Sequence, residues 1–284
     1  MADLLMGAVA YDPKVVTIWD GFRRCFLDQG LAFDYVLYSN YERQVEDLLG
    51  GRIHAAWNSP LAWVRARRLA DSTGASVQAL AMRDSDCDLT SVVVVRADSP
   101  ISDVLDLKGK RVATGAIDSP QATLLPLDHL RSLGLAPGKE IEVLRFNVGV
   151  GLHGDHIGGE REAARALAAG DVDAACMIDA NHLLFAREGT LPAGSARILT
   201  QTAPFDHCNM TVAPDAPSDL TDRFRELLLA MDYGDPKVRP LLDLEGLKQW
   251  RPGRLSGYGP LERAVDRSGF YDRKGVVTAA EYRP

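Results

Sequence analysis

The 284-residue chain is 46% hydrophobic and 25% charged, the proportions of a soluble globular protein long enough for two modest lobes or one large domain. Its formal net charge of −7 argues against a general nucleic-acid or anionic-membrane surface, since both repel a negative protein. No window approaches the roughly 18 apolar residues of a membrane-spanning helix, so no membrane insertion is expected and a small-molecule ligand is the expected partner.

The N-terminal segment has no positive n-region, and its apolar run from Leu4 is soon broken by Tyr11 and Asp12. It therefore reads as a first strand, Leu4 to Ala10, rather than a signal peptide. Together with the Met1-Ala2 start this sets the expectation of a cytoplasmic protein, or a periplasmic one if a signal peptide has been trimmed. Four cysteines without close pairing, Cys25, Cys87, Cys176 and Cys208, agree with a reducing compartment.

Pro13 to Gln29 follows as an amphipathic helix with Ile18, Trp19, Phe22 and Phe26 on one face. Phe33 to Tyr38 is a strand, Asn40 to Leu49 a helix closed by Gly50-Gly51, and Ile53 to Trp57 a strand leading into Asn58-Ser-Pro60. This β-α-β-α-β order implies parallel strands with ligand loops at their carboxyl ends. Val77 to Met82 and the valine-rich Ser91 to Arg96 are the next strands. A second α/β unit is expected from Arg111 to Thr114, Gln121 to Leu133, Ile141 to Phe146, Glu160 to Ala169 and Ala174 to Ile178, continued by Arg197 to Thr202. His207 to Val212 reads as a crossing back, Leu220 to Met231 as a returning helix, and the tail from Leu241 as a wrap over the first lobe.

The most informative stretch runs from Asp106 to Leu127, as turn, strand, polar loop and helix start in succession. Ser119, Gln121 and Thr123 around Pro120 would bring hydroxyls and free backbone N–H groups to a helix N-terminus, an arrangement that attracts anions. Pro120 removes one such N–H, so a carboxylate or neutral polar ligand competes with phosphate or phosphonate.

With Gly50-Gly-Arg-Ile-His-Ala-Ala-Trp-Asn-Ser-Pro60, Ser91 to Ser99, Asp106-Leu-Lys-Gly-Lys-Arg111, and Ala168-Ala-Gly-Asp-Val-Asp-Ala-Ala175, the chain resembles the type II periplasmic-binding-protein superfamily, especially its phosphate/phosphonate ABC transporter solute-binding family. The resemblance implies an α/β fold of two lobes, each a mixed, mostly parallel sheet flanked by helices, joined by two crossings. Residues 1–92 and 207–284 would form lobe 1 and residues 93–206 lobe 2. The implied function is closure of the lobes over a small polar or anionic metabolite of phosphate, phosphonate or carboxylate type. An ABC permease partner does not fit a protein without export.

The same topology sets the expected ligand-binding positions: Tyr11, Asn58, Ser59, Thr90, Ser91, Ser119, Gln121, Thr123, His153, Asp179, Asn181 and His207. The least generic segment is Val148 to Glu160, where five glycines surround His153, Asp155 and His156. His153 and His156 could ligate a transition metal, joined by His54, His207 or Cys208; no other cofactor is implied. The alternative function is a cytoplasmic lyase or synthase on the same fold, with His153, His156 and Cys208 as catalytic groups, since a cysteine beside a histidine can be an activated thiolate. No Walker loop, Rossmann fingerprint or G-x-S-x-G is present.

Overall fold

The computed structural model describes residues 3–284; the Met1-Ala2 start lies outside the described residues. The first lobe begins β1 (Leu4–Val9), α1 (Lys14–Asp28), β2 (Phe33–Tyr38), α2 (Tyr41–Leu49), β3 (Ala55–Asn58), α3 (Pro60–Ser72) and β4 (Gln78–Arg83). The chain then crosses to β5 (Ser91–Arg96), β6 (Arg111–Thr114), α4 (Leu125–Ser132), β7 (Glu142–Arg145), α5 (Gly158–Ala169), β8 (Ala174–Ile178), α6 (Asp179–Glu188) and β9 (Ala196–Gln201). It returns through β10 (Asn209–Val212), α7 (Ser218–Leu229), α8 (Arg239–Glu245), β11 (Trp250–Pro252) and α9 (Gly259–Ser268).

The first sheet has the order β11-β4-β10-β3-β1-β2 and the second β7-β6-β8-β5-β9. β1 pairs in parallel with β2 and β3, while β10 runs antiparallel between β3 and β4. In the second sheet β6 is parallel to β7 and β8, and β5 is antiparallel to β8 and β9. This is the expected two-lobed α/β fold.

Local chemistry explains the elements. α1 buries Val15, Ile18, Trp19, Phe22 and Phe26, spacings that keep one face of a 3.6-residue period on the sheet. Those rings join Phe33, Trp57, Phe224 and Trp250 in the first lobe's core; Phe26 meets Phe33 and Phe224 edge-on at 4.9 and 5.2 Å. The Asn40 side chain caps α2 at Arg43 N, and Ser59 caps α3 at Ala62 N ahead of Pro60. Val92 to Val95 are fully buried, as a central strand covered on both faces requires.

Several expectations are corrected. Residues 60–72, left without an element, form α3; residues 239–245 and 259–268, assigned only to a wrapping tail, form α8 and α9. Ser91 and Val92 belong to β5 of the second sheet, so the division at 92/93 falls inside a strand. The tail does not cover the first lobe alone. α9 packs against both α3 and α4, and Leu261, Phe270, Tyr271 and Tyr282 share one buried cluster with Leu61 and Trp63 of the first lobe and Ile117, Leu124 and Leu125 of the second.

The two crossings touch. Leu89 and Phe205 pair through an isolated antiparallel bridge with N···O distances of 2.8 Å in both directions. Arg254 spans them, donating to Asp206 Oδ2 at 2.7 Å, Asp206 Oδ1 at 2.6 Å and Asp88 Oδ1 at 2.7 Å. Gly257 must be glycine here, since a Cβ would lie 2.0 Å from Asp206 Cγ.

Candidate functional site

The loops after β1, β3 and β4 and the return crossing face the second lobe across a cleft of about 270 Å³, at the carboxyl ends of parallel strands where α/β sheets bind ligands. Tyr11, Lys14, Trp57, Arg83, Asp86, His207 and Cys208 line it from the first lobe, and Gln121, Gly154, Asp155, Ile178 and Asn181 from the second. A larger groove of about 790 Å³ runs between α4, β7 and the C-terminal segment. None of the orphaned buried polar side-chain atoms among the described residues lines that groove, whereas His207 and Gln121 of the cleft each carry one.

Asp86 organises the first-lobe wall. Arg83 grips its carboxylate with Nε and Nη2 at 2.6 and 2.9 Å, a bidentate geometry, and lies 5.1 Å over the Trp57 ring. The third corner of the guanidinium, Nη1, donates to Glu245 O and Oε1 at 2.9 and 3.2 Å. Burial alone would raise the Asp86 pKa, but the Arg83 charge and hydrogen bonds, with His207, hold it at about 2. Glu245 goes the other way: burial pushes it up to about 7 although Arg83 opposes the rise. Arg83 is thus engaged by two carboxylates of its own lobe.

His207 stands beside this pair. Its Nδ1 is 3.5 Å from Asp86 Oδ1 and 3.1 Å from Cys208 Sγ, and its backbone N donates to Asp86 O at 2.8 Å. Nε2, on the opposite side of the ring, is buried without a protein partner. Across the cleft, Asp155 accepts a hydrogen bond from the Tyr41 hydroxyl, and burial raises its pKa despite His207, Tyr41 and Arg83. Tyr11 is likewise raised by burial, then by Glu245 and Asp155, so it stays a protonated donor.

The expected cradle at Pro120 is occupied by the protein itself. Ser119 Oγ accepts from Ala122 N at 3.1 Å, Thr123 Oγ1 donates to Ala116 O at 2.8 Å, and Gln121 Nε2 donates to Gly154 O at 2.9 Å. The glycine-rich loop lies directly on them: Gly154 has φ +80°, and a Cβ there would sit 2.4 Å from Ser119 Oγ. Residues 120–124 form a π-helical turn running into α4. Only Gln121 of this trio lines the cleft. Gln121 Oε1 and Glu160 Oε1 are both buried without a hydrogen-bond partner. Burial accordingly pushes Glu160 up to about 7, while its other oxygen accepts from Asn181 Nδ2 and Ile178 N at 2.8 and 3.1 Å.

His153 is corrected as ligand, catalyst and metal donor. It is fully buried, stacked on Tyr41 at 4.8 Å, with Nδ1 2.7 Å from Ser59 Oγ and Nε2 3.0 Å from Glu42 Oε1. Tyr282 and Tyr271 complete the cluster, at 3.3 Å from His153 Nε2 and 2.8 Å from Glu42 Oε1. Burial would raise the Glu42 pKa, but the charge and hydrogen bond of His153 and the tyrosine hydroxyls hold it at about 2. His153 therefore ties its loop to α2, α3 and the tail. His156 is exposed, its Nδ1 accepting from Gly158 N at 3.2 Å, so the two histidines do not converge. His54 accepts from Leu5 N at 2.9 Å within the first sheet.

Five other expected positions are structural. Asn58 donates to Thr211 Oγ1 and accepts from Gln44 Nε2, each at 2.9 Å. Ser59 caps α3. Thr90 donates to Asp179 Oδ2 at 2.9 Å, which engages both residues, and Ser91 Oγ donates to Gln121 O at 2.5 Å. Cys208 lines the cleft, yet burial, Asp155 and Asp86 push its thiol up, the reverse of an activated nucleophile. Tyr11, Gln121, Asn181 and His207 are the expected positions that do reach the cleft. Lys14, Trp57, Asp86 and Glu245 were missed; only Asp86 had a sequence signal, its i,i+3 spacing from Arg83 in an acidic turn.

The structure resembles PhnD1 of Prochlorococcus marinus (MIT 9301) in complex with methylphosphonate, at 17% identity over 94% of this chain and 98% of that one, TM-score 0.70. It also resembles a Xanthomonas citri protein bound to ATP, at 18% identity over 94% and 99% of the two chains, TM-score 0.71, and the periplasmic aliphatic sulphonate binding protein of Escherichia coli, at 17% over 95% and 92%, TM-score 0.61. The family is described as periplasmic, so the expectation of a cytoplasmic protein finds no support in it. With a family model for the ABC transporter phosphonate periplasmic substrate-binding protein matching residues 23–258, the chain belongs to that family.

Proposed function

We propose that the protein is a solute receptor that encloses a small organic anion of the phosphonate, sulfonate or carboxylate type between its lobes and presents it to an ABC permease. The observation that carries this reading is the unpartnered His207 Nε2 in the cleft, seated on the Asp86 carboxylate so that the ring can donate outward. The cleft lies at the small end of ligand pockets, which suits a ligand of few heavy atoms. Tyr11 and Asn181 offer further polar contacts, Lys14 stands exposed at the cleft, and α6 points its N-terminal turn, Ala180 and Asn181, into it. Closure about the two crossings would exclude water and strengthen every such contact.

Titration calorimetry with methylphosphonate, ethanesulfonate and acetate tests the proposal. One of these anions is expected to bind with 1:1 stoichiometry, and His207→Ala should weaken it about 10- to 100-fold, the loss of one charge-assisted hydrogen bond. Absence of binding by all three, or full affinity in the alanine variant, refutes it.

A further inference from the structure

Asp86, His207 and Cys208 bring a carboxylate oxygen, an imidazole nitrogen and a sulfur within 4.8 Å of one another, all from buried residues. We propose that this trio is a transition-metal site, taking a thiophilic divalent ion such as Zn²⁺ with its fourth position open to the cleft. The spacing fits. Tetrahedral bonds of about 2.0 Å to nitrogen and oxygen and about 2.3 Å to sulfur place N and S about 3.5 Å apart and N and O about 3.3 Å apart. The observed separations from His207 Nδ1 are 3.1 Å to Sγ and 3.5 Å to Oδ1.

The three side chains by themselves leave the chemistry incomplete. His207 Nδ1 faces two groups but carries one proton or one lone pair, so it cannot satisfy both; a metal ion would engage all three donors at once. Arg83 takes one lone pair from each Asp86 oxygen and leaves the other free. Its charge works against a cation, although Arg83 also donates to Glu245 Oε1 at 3.2 Å and Asp155 stands across the cleft. Thiolate and imidazole select a borderline-soft metal over Mg²⁺ or Ca²⁺. Metallation at Nδ1 also places the remaining imidazole proton on Nε2, so the bound ion would fix the cleft-facing nitrogen as a donor.

The test uses metal alone, so its outcome does not depend on which anion binds. Full-length protein stripped with chelator is titrated with Co²⁺ and Zn²⁺. The expected result is one equivalent of Co²⁺ with a sulfur-to-cobalt charge-transfer band, displaced by Zn²⁺, lost in Cys208→Ser and retained in Cys25→Ser; the serine variant should bind Zn²⁺ about 100-fold or more weakly. If Cys208→Ser does not fold, X-ray absorption on the wild-type Zn²⁺ complex decides: one sulfur at about 2.3 Å with nitrogen or oxygen ligands supports the site. No stoichiometric binding, a band that survives Cys208→Ser, or a zinc shell without sulfur overturns it.

Discussion

Glu160→Gln should make the protein more stable at alkaline pH while leaving it nearly unchanged at acid pH. Glu160 is 2% exposed and is raised from 4.5 to about 7 by burial, against the pull of Asn181, Ile178 N and Gln121. Below pH 4.5 the carboxyl is neutral in both folded and unfolded chains. As pH rises through 4.5 the unfolded chain releases its proton while the folded one keeps it until about 7. The unfolded state thus binds fewer protons across that window, and stability falls as pH increases. A shift of this size amounts to about 3 kcal/mol, fully expressed above pH 7. Glutamine reproduces the neutral form: its oxygen can accept from Ile178 N and Asn181 Nδ2. Urea unfolding of both proteins between pH 4.5 and 8.5 measures the difference directly, and Glu245, which titrates in the same direction, cancels because both chains contain it. Parallel pH profiles would refute the burial-raised pKa of Glu160.

The buried cluster at His153 supplies a second test. His153→Ala leaves Glu42 as an uncompensated buried carboxylate and should cost about 3–5 kcal/mol in denaturant unfolding, an effect that a merely surface histidine would not show. Glu42 is depressed to about 2, so its contribution is present above its unfolded pKa of 4.5 and lost as pH falls toward 2; Glu42→Gln should flatten that acid limb. Gly154→Ala forces a side chain into φ +80° and onto Ser119 Oγ, and calorimetry should show about 1–3 kcal/mol of destabilisation together with weakened ligand binding, because Asp155 follows it. Tyr282→Phe removes one hydroxyl from the same cluster and should cost about 1 kcal/mol.

Much of the fold was legible because it rests on local rules. Alternating strands and helices, the Val92 to Val95 run and the unit ending in Ala174 to Ile178 follow from periodicity and turn chemistry, and the last strand has the predicted bounds. Ser59-Pro60 was a readable start for α3, since a capping serine before proline is a helix signal, but its interest as a ligand loop hid that role. The site was less legible. Whether Ser119, Thr123 or Ser91 serves a ligand or the protein depends on what packs beside it, and here the loop at Gly154 closes over Ser119 while Thr123 and Ser91 donate to Ala116 O and Gln121 O. Glu245 lies 162 positions from Arg83, and Tyr282 lies 129 from His153; no spacing rule reaches so far.

The pairing of Leu89 with Phe205, pinned by Arg254 to Asp88 and Asp206, makes the two crossings a single two-stranded ribbon rather than two independent tethers. A ribbon bends across its face far more readily than it shears in its plane, because shear would break both backbone bonds and the guanidinium bridge together. Any opening about the crossings would thereby be a rocking motion about one axis, and it would also have to release the His153 contacts that tie the lobes. The amides of Leu89 and Phe205 should consequently exchange with solvent deuterium as slowly as those of the sheets they join, marking the hinge as one of the stiffest parts of a molecule built to move.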